Sequence, residues 1–178
     1  MRITFFILLF YFSSALACFE LDMAMAPCSS KLPDELSTKT IINDSFMLDL
    51  IKETLSFSRV KELYESSDDK AFRFDVPEVH DLSSSNSIIL IKDMDDFLSY
   101  HLSGENSFPL CVIISTRKIN SSDSELIGKP LSYFKNLFDF REDVDVLIIE
   151  DLEGGSSVEL LFMEGNLSSF LYRTTYFD

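Results

Sequence analysis

The apolar positions of this chain change period several times along its length, and each change predicts an element. After an irregular lead-in over 18–40, with Pro27, Pro33 and scattered Ser and Thr, comes "NDSFMLDLIKETLSFSRVKELYES". Met47, Leu50, Ile51, Leu55, Val60 and Leu63 recur there at near-helical spacing. The spacing predicts one amphipathic helix over about 44–65, capped at its start by Asp44 or Ser45. A polar connector over 66–86 follows, with room for a short strand at the apolar alternation around Phe72 and Phe74.

The elements then shorten. "SIILIK" predicts a strand. Asp93 reads as an N-cap with Asp95 and Asp96 in a first turn, where the helix dipole favours negative charge. "MDDFLSYHLS" therefore predicts a helix with Met94, Phe97, Leu98 and His101 near one face, ended by Gly104. "LCVIIS" predicts a buried strand after Pro109. "SELIGKPLSYFKNLFDF" predicts a second helix, kinked or broken by Pro130 and weakened by Gly128. "VDVLIIED" predicts a strand buried on both faces. "VELLFM" and "FLYRTTYF" flank Glu164-Gly165-Asn166-Leu167-Ser168 and predict a hairpin with Gly in the turn. A strand-helix-strand unit over 87–115 implies parallel pairing in a layered α/β domain.

The first 17 residues alter the picture by naming a compartment. "MRITFFILLFYFSSALA" has a positive start at Arg2, an apolar run and Ala15-Leu16-Ala17, the pattern of a cleaved secretory signal. Cys18 directly after Ala17 opens a bacterial-lipoprotein reading beside it. No segment is long enough to span a bilayer, which needs ~20 apolar residues. A secreted or endoplasmic-reticulum-lumenal protein is expected. Its net charge of −15 repels nucleic acid and anionic headgroups, so neither is an expected partner.

Three cysteines would face an oxidising compartment. Cys18 and Cys28 are close in sequence and are the candidate disulfide. Cys111, among Leu110, Val112, Ile113 and Ile114, reads as a small buried apolar residue, with a reactive or intermolecular thiol as the alternative. Asn43, Asn120 and Asn166 head N-x-S sequons and are candidate glycan acceptors.

The order of elements from Ile88 onward resembles the thioredoxin-like fold. The likeness covers residues 87–178. It rests on the "IILIKDMDDFLSYHLS" unit, the "LCVIIS" strand, and the Pro-bearing "KPLSYFKNLFDF" leading into "VDVLIIED". It implies a central mixed sheet with flanking helices, preceded by an N-terminal helical extension over 18–86. The departures are chemical. Where a redox-active relative carries C-x-x-C, this chain reads Ile119-Asn120-Ser121-Ser122-Asp123-Ser124-Glu125, with no cysteine. Ser156-Ser157 stand where the family has a cis-proline, and two of the family's helices are missing. The resemblance thus implies a trimmed, redox-inactive domain.

No other chemistry announces itself. His80 and His101 are far apart and outside any Cys/His cluster, and "KDMDDF" and "REDVDV" lack the spacing of a calcium loop. There is no G-x-S-x-G elbow, and Gly154-Gly155 has no following Lys to make a phosphate loop. No metal, cofactor or catalytic residue is expected. The expected role is non-enzymatic binding of a polypeptide or protein partner. Two alternatives stand beside it: monothiol or mixed-disulfide activity through Cys111, and a secreted effector or surface protein with no thioredoxin-related role.

Overall fold

A computed structural model describes residues 24–29, 32–64, 70–76, 86–93, 95–116 and 126–174. The signal-like segment, Cys18, His80 and Asn120 lie outside them. The described chain is an α/β structure built on one mixed sheet of eight strands. These are β1 (Thr38–Ile42), β2 (Lys70–Val76), β3 (Asn86–Asp93), β4 (Asp96–Ser103), β5 (Asn106–Ile114), β6 (Val146–Glu150), β7 (Ser156–Met163) and β8 (Asn166–Thr174). Their spatial order is β1-β6-β7-β8-β5-β4-β3-β2.

The meander β2-β3-β4-β5 runs inward from one edge, β6-β7-β8 runs inward from beside the edge strand β1, and the two meet where β5 pairs antiparallel with β8. The parallel pair is β1 with β6. It arises because the chain leaves β1 at one edge and reaches β2 at the other, and returns beside β1 after α3 (Leu131–Phe138).

The helices lie on one sheet face. Alternation puts Leu98, Tyr100, Val112, Ile114, Leu147, Ile149, Val158, Leu160, Phe170 and Tyr172 on that face, and all are buried in one cluster. Met47, Leu50, Leu55, Val60, Leu131 and Phe134 close over them. The Phe134 ring meets Phe162 edge-on at 5.3 Å, and the Tyr100 hydroxyl donates to Leu55 O at 3.0 Å.

Several expectations are corrected. The helix predicted over 94–103 is strand β4, paired with β3 and β5, so 87–115 is a meander and not a parallel strand-helix-strand unit. Gly104 turns the β4–β5 hairpin with φ 59°. β4 is covered on both faces near its middle, so its burial does not alternate strictly. Leu98 and Tyr100 point to the main core, while Ser99 is buried on the reverse face with its hydroxyl on Ala24 O at 2.8 Å.

The helix predicted over 44–65 is interrupted. α1 (Asp44–Asp49) runs into a wider turn over Leu50–Thr54, closed by Leu55 N to Leu50 O at 2.9 Å, and α2 (Phe57–Tyr64) starts afresh. These pieces pack on the shared core, and β1 before them is an edge of the same sheet. The expected N-terminal helical extension is therefore not seen. Pro130 does not kink a helix; it is extended (φ −71°, ψ 151°) and α3 begins just after it.

The reverse sheet face is partly covered by residues 24–29. Ala24 packs with Ile88 and Leu110. Cys28 is bonded to Cys111, with 5.8 Å between their Cα atoms. Arg173 lies on that face in an ion pair with the buried Glu159 at 2.6 Å, and also donates to Ser157 Oγ at 3.1 Å.

Candidate functional site

The sheet's parallel pair creates the candidate site. In open α/β sheets ligands bind beyond the carboxyl ends of parallel strands, where the following loops and helices part. β1 ends at Ile42 and β6 at Glu150, and Asn43 N donates to Glu150 O at 3.0 Å to hold the two ends level. Asn43 then caps α1 by accepting from Phe46 N at 2.9 Å. Asp44, freed from capping, accepts from Leu152 N at 2.7 Å and fixes the β6–β7 turn against α1. Asp151 shapes the same turn by accepting from Gly155 N at 2.8 Å.

Between α1 and this turn lies a groove of ≈ 260 Å³. Met47, Leu48, Ile51 and Leu152 form its apolar surface; Asp44, Asp151 and Glu153 rim it. Leu48 is 51 % exposed and Leu152 72 %. Ile42, at the end of β1, is 62 % exposed and is not part of the lining. A cleft below the usual ~300–1,000 Å³ of small-molecule sites has room for one or two side chains rather than a large cofactor. Its carboxylates repel anions and favour a cationic group. The one hydroxyl in the lining, Ser156 Oγ, is buried and accepts from Tyr172 OH at 3.3 Å.

The residues singled out in the sequence fall elsewhere. Cys111 is fully buried, as the apolar reading has it, but it is not a free thiol: it pairs with Cys28. The expected Cys18–Cys28 bridge is thereby corrected, because Cys28 sits over the middle of the sheet and reaches β5. Asn43 is a helix cap, and Asn166 is exposed at the start of β8, its side chain donating to Glu164 O at 3.3 Å. His101 is half-buried on β4, opposite Phe108. No group of three metal-ligating side chains occurs among the described residues. No helix there is long and apolar enough to cross a membrane.

The groove residues escape a sequence reading, since α1 and the β6–β7 turn are about a hundred residues apart and share no motif. One local signal exists: Leu152 is an apolar residue between two acids at the head of a Gly-Gly turn. Scans against protein-family models, curated proteins and solved structures found no match to this chain.

Proposed function

We propose that the chain is a non-enzymatic binding protein of the secretory pathway that takes a polypeptide partner at the α1/β6–β7 groove. The observation that carries the reading is the open apolar groove formed by Met47, Ile51 and the exposed Leu48 and Leu152. Exposed large apolar side chains gathered around one concavity favour a binding surface over a merely solvated one. The groove's size suits side chains of a polypeptide. The 17-residue signal-like start and the bridged Cys28–Cys111 pair both support an oxidising compartment. The likeness to thioredoxins contributes nothing to this reading, because the strand-helix-strand unit at its centre is a meander.

The test is selection of random peptides displayed on phage against the folded, oxidised protein. Enrichment on the native chain that is lost on Leu48→Asp/Leu152→Asp is the expected result. Selection that enriches nothing, or sequences indifferent to the double variant, overturns the groove. N-terminal sequencing of the exported chain checks the compartment: a start at Cys18 is expected.

A further inference from the structure

Resting on the secretory compartment of that reading, we infer that Asn166 carries an N-linked oligosaccharide, displayed at the β7–β8 hairpin and lying over Met163. Asn166-Leu167-Ser168 is a complete N-x-S acceptor sequence. β7 and β8 meet there in a two-residue turn, with Glu164 at φ 52° and Gly165 at φ 76°. Asn166 is exposed, and so are Met163, Glu164 and Gly165. The Asn166 amide donates to Glu164 O at 3.3 Å, a solvent-facing contact that needs only one of its two hydrogens. A glycosylated amide keeps one N–H, so the same contact survives the modification. The backbone on either side is anchored: Leu131 N donates to Gly165 O and Leu167 N to Lys129 O, each at 2.8 Å. Met163 is the cross-strand partner of Asn166 and is 63 % exposed. Side chains directly opposite each other in antiparallel strands stand on one face with Cβ atoms ~4.5–5.5 Å apart. The first sugar on Asn166 therefore rests against the Met163 side chain.

The fold also sets the order of events and the place of the glycan. Leu167 is 1 % exposed, and Ser168 Oγ donates to Leu161 O at 3.0 Å. A transferase that reads the asparagine, the next residue and the serine hydroxyl needs all three free, so transfer precedes the docking of β8. In that step Asn166 Nδ2 bonds to the anomeric carbon of a lipid-pyrophosphate-linked oligosaccharide. The anomeric C–O bond breaks, the lipid pyrophosphate leaves, and one amide proton passes to a base of the transferase. The groove lies where β6 ends and β7 begins, lined by Asp151, Leu152 and Ser156. The hairpin is at the other end of the eight-residue β7, about 23 Å away at ~3.3 Å per residue. Asn43, the other sequon asparagine among the described residues, is placed differently. It is half-buried, its side chain caps α1, and the next residue, Asp44, lines the groove. A glycan on Asn43 would stand at the groove; one on Asn166 leaves the groove open.

The test uses the full chain exported from cultured eukaryotic cells. The peptide carrying Asn166 is weighed by mass spectrometry before and after a peptide-N-glycan amidase, which marks a former glycan site as aspartate. A glycan is expected there, lost in Asn166→Gln and in Ser168→Ala and retained in Ser168→Thr. The threonine variant keeps the acceptor hydroxyl, so it separates loss of the sequon from a folding defect. Peroxide is expected to oxidise Met163 to its sulfoxide more slowly with the glycan than after its removal, while the buried Met47 is indifferent to it. Phage selection on the glycosylated and deglycosylated chains is expected to enrich the same peptides.

An exported chain, cleaved before Cys18 but bare at Asn166, would overturn the glycan and leave the compartment standing. A chain retained in the cell with its first 17 residues attached would overturn the compartment and the glycan with it. Equal Met163 oxidation with and without the sugar would overturn its placement over that side chain. Peptides enriched only after deglycosylation would overturn the separation of the glycan from the groove.

Discussion

At the residue scale, the fully buried large side chains carry the largest expected cost of truncation. Phe134 has no exposure and stacks edge-on with both Phe162 and Tyr133. Phe134→Ala should cost about 3–5 kcal/mol in urea unfolding, because the transfer loss and the cavity add. Tyr133, 40 % exposed beneath Lys129, is the matched control and should cost far less. Tyr100 is buried with its hydroxyl on Leu55 O, and burial pushes its ionisation far above the ordinary phenol range. Tyr100→Phe leaves that carbonyl unpaired and should cost about 1–3 kcal/mol. Asp96, read in sequence as the first turn of a helix, instead accepts from Ser115 N at 2.8 Å and Thr116 N at 3.0 Å, which pins the exit of β5 to the start of β4. The same short carboxylate serves either role; only the neighbour brought beside it decides. Leu152→Asp, in contrast, changes an exposed turn and should shift stability by no more than about 0.5 kcal/mol while removing peptide binding.

At the element scale, β1 is an edge strand whose start is tied by titratable side chains. It has one paired neighbour, and its start is tied to the loop before β6 by side chains. Asp145 accepts from Ser37 Oγ at 2.7 Å and Ser37 N at 2.9 Å, which lowers its carboxyl below the usual range. Backbone N–H of Glu142 itself, then Lys39, then the N–H of Arg141 hold Glu142 at about 2, against an ordinary 4.5. Both folded-state values are depressed, so this tie is fully present above the ordinary carboxylate range. It is lost as pH falls through the depressed range. A carboxyl NMR titration should place the Glu142 midpoint near 2, and Lys39→Met should move it upward; a midpoint unmoved by that change would show that Lys39 does not act on it. Both residues are solvent-facing, so the effect belongs to β1 and not to global stability.

At the scale of the whole molecule, one covalent bond joins the start of the described chain to the middle of the sheet. Cys28 and Cys111 are 83 residues apart in sequence. In the chain-entropy model a loop of that length is worth about 4–5 kcal/mol, well above what the expected ten-residue Cys18–Cys28 loop would give. Reduction, or Cys28→Ser, should therefore lower the urea midpoint substantially, and wild type and variant should coincide once reductant is added. Both sulfurs are almost wholly buried, so native-state alkylation should fail and labelling should require denaturant with reductant. Rapid native labelling of Cys111 would mean the sheet's reverse face is open and the covering by residues 24–29 is wrong.

Sequence alone determined the strands whose apolar run is dense or whose turn is unambiguous. β3, β5, β6 and the β7–β8 hairpin around Gly165 fall where period and turn chemistry put them, since local sterics settle those. It also determined the acidic surface and the absence of a vicinal cysteine pair at 119–125. Tertiary structure decided the rest. β4 is a strand because β3 and β5 offer it backbone partners on both sides, which outweighs a helical spacing of four side chains. β1, hidden in "TKTII" within an irregular lead-in, exists because β6 pairs with it. The disulfide and the groove each join residues far apart in the chain. Local propensity carries no information about such pairs; burial of a shared core brings them together.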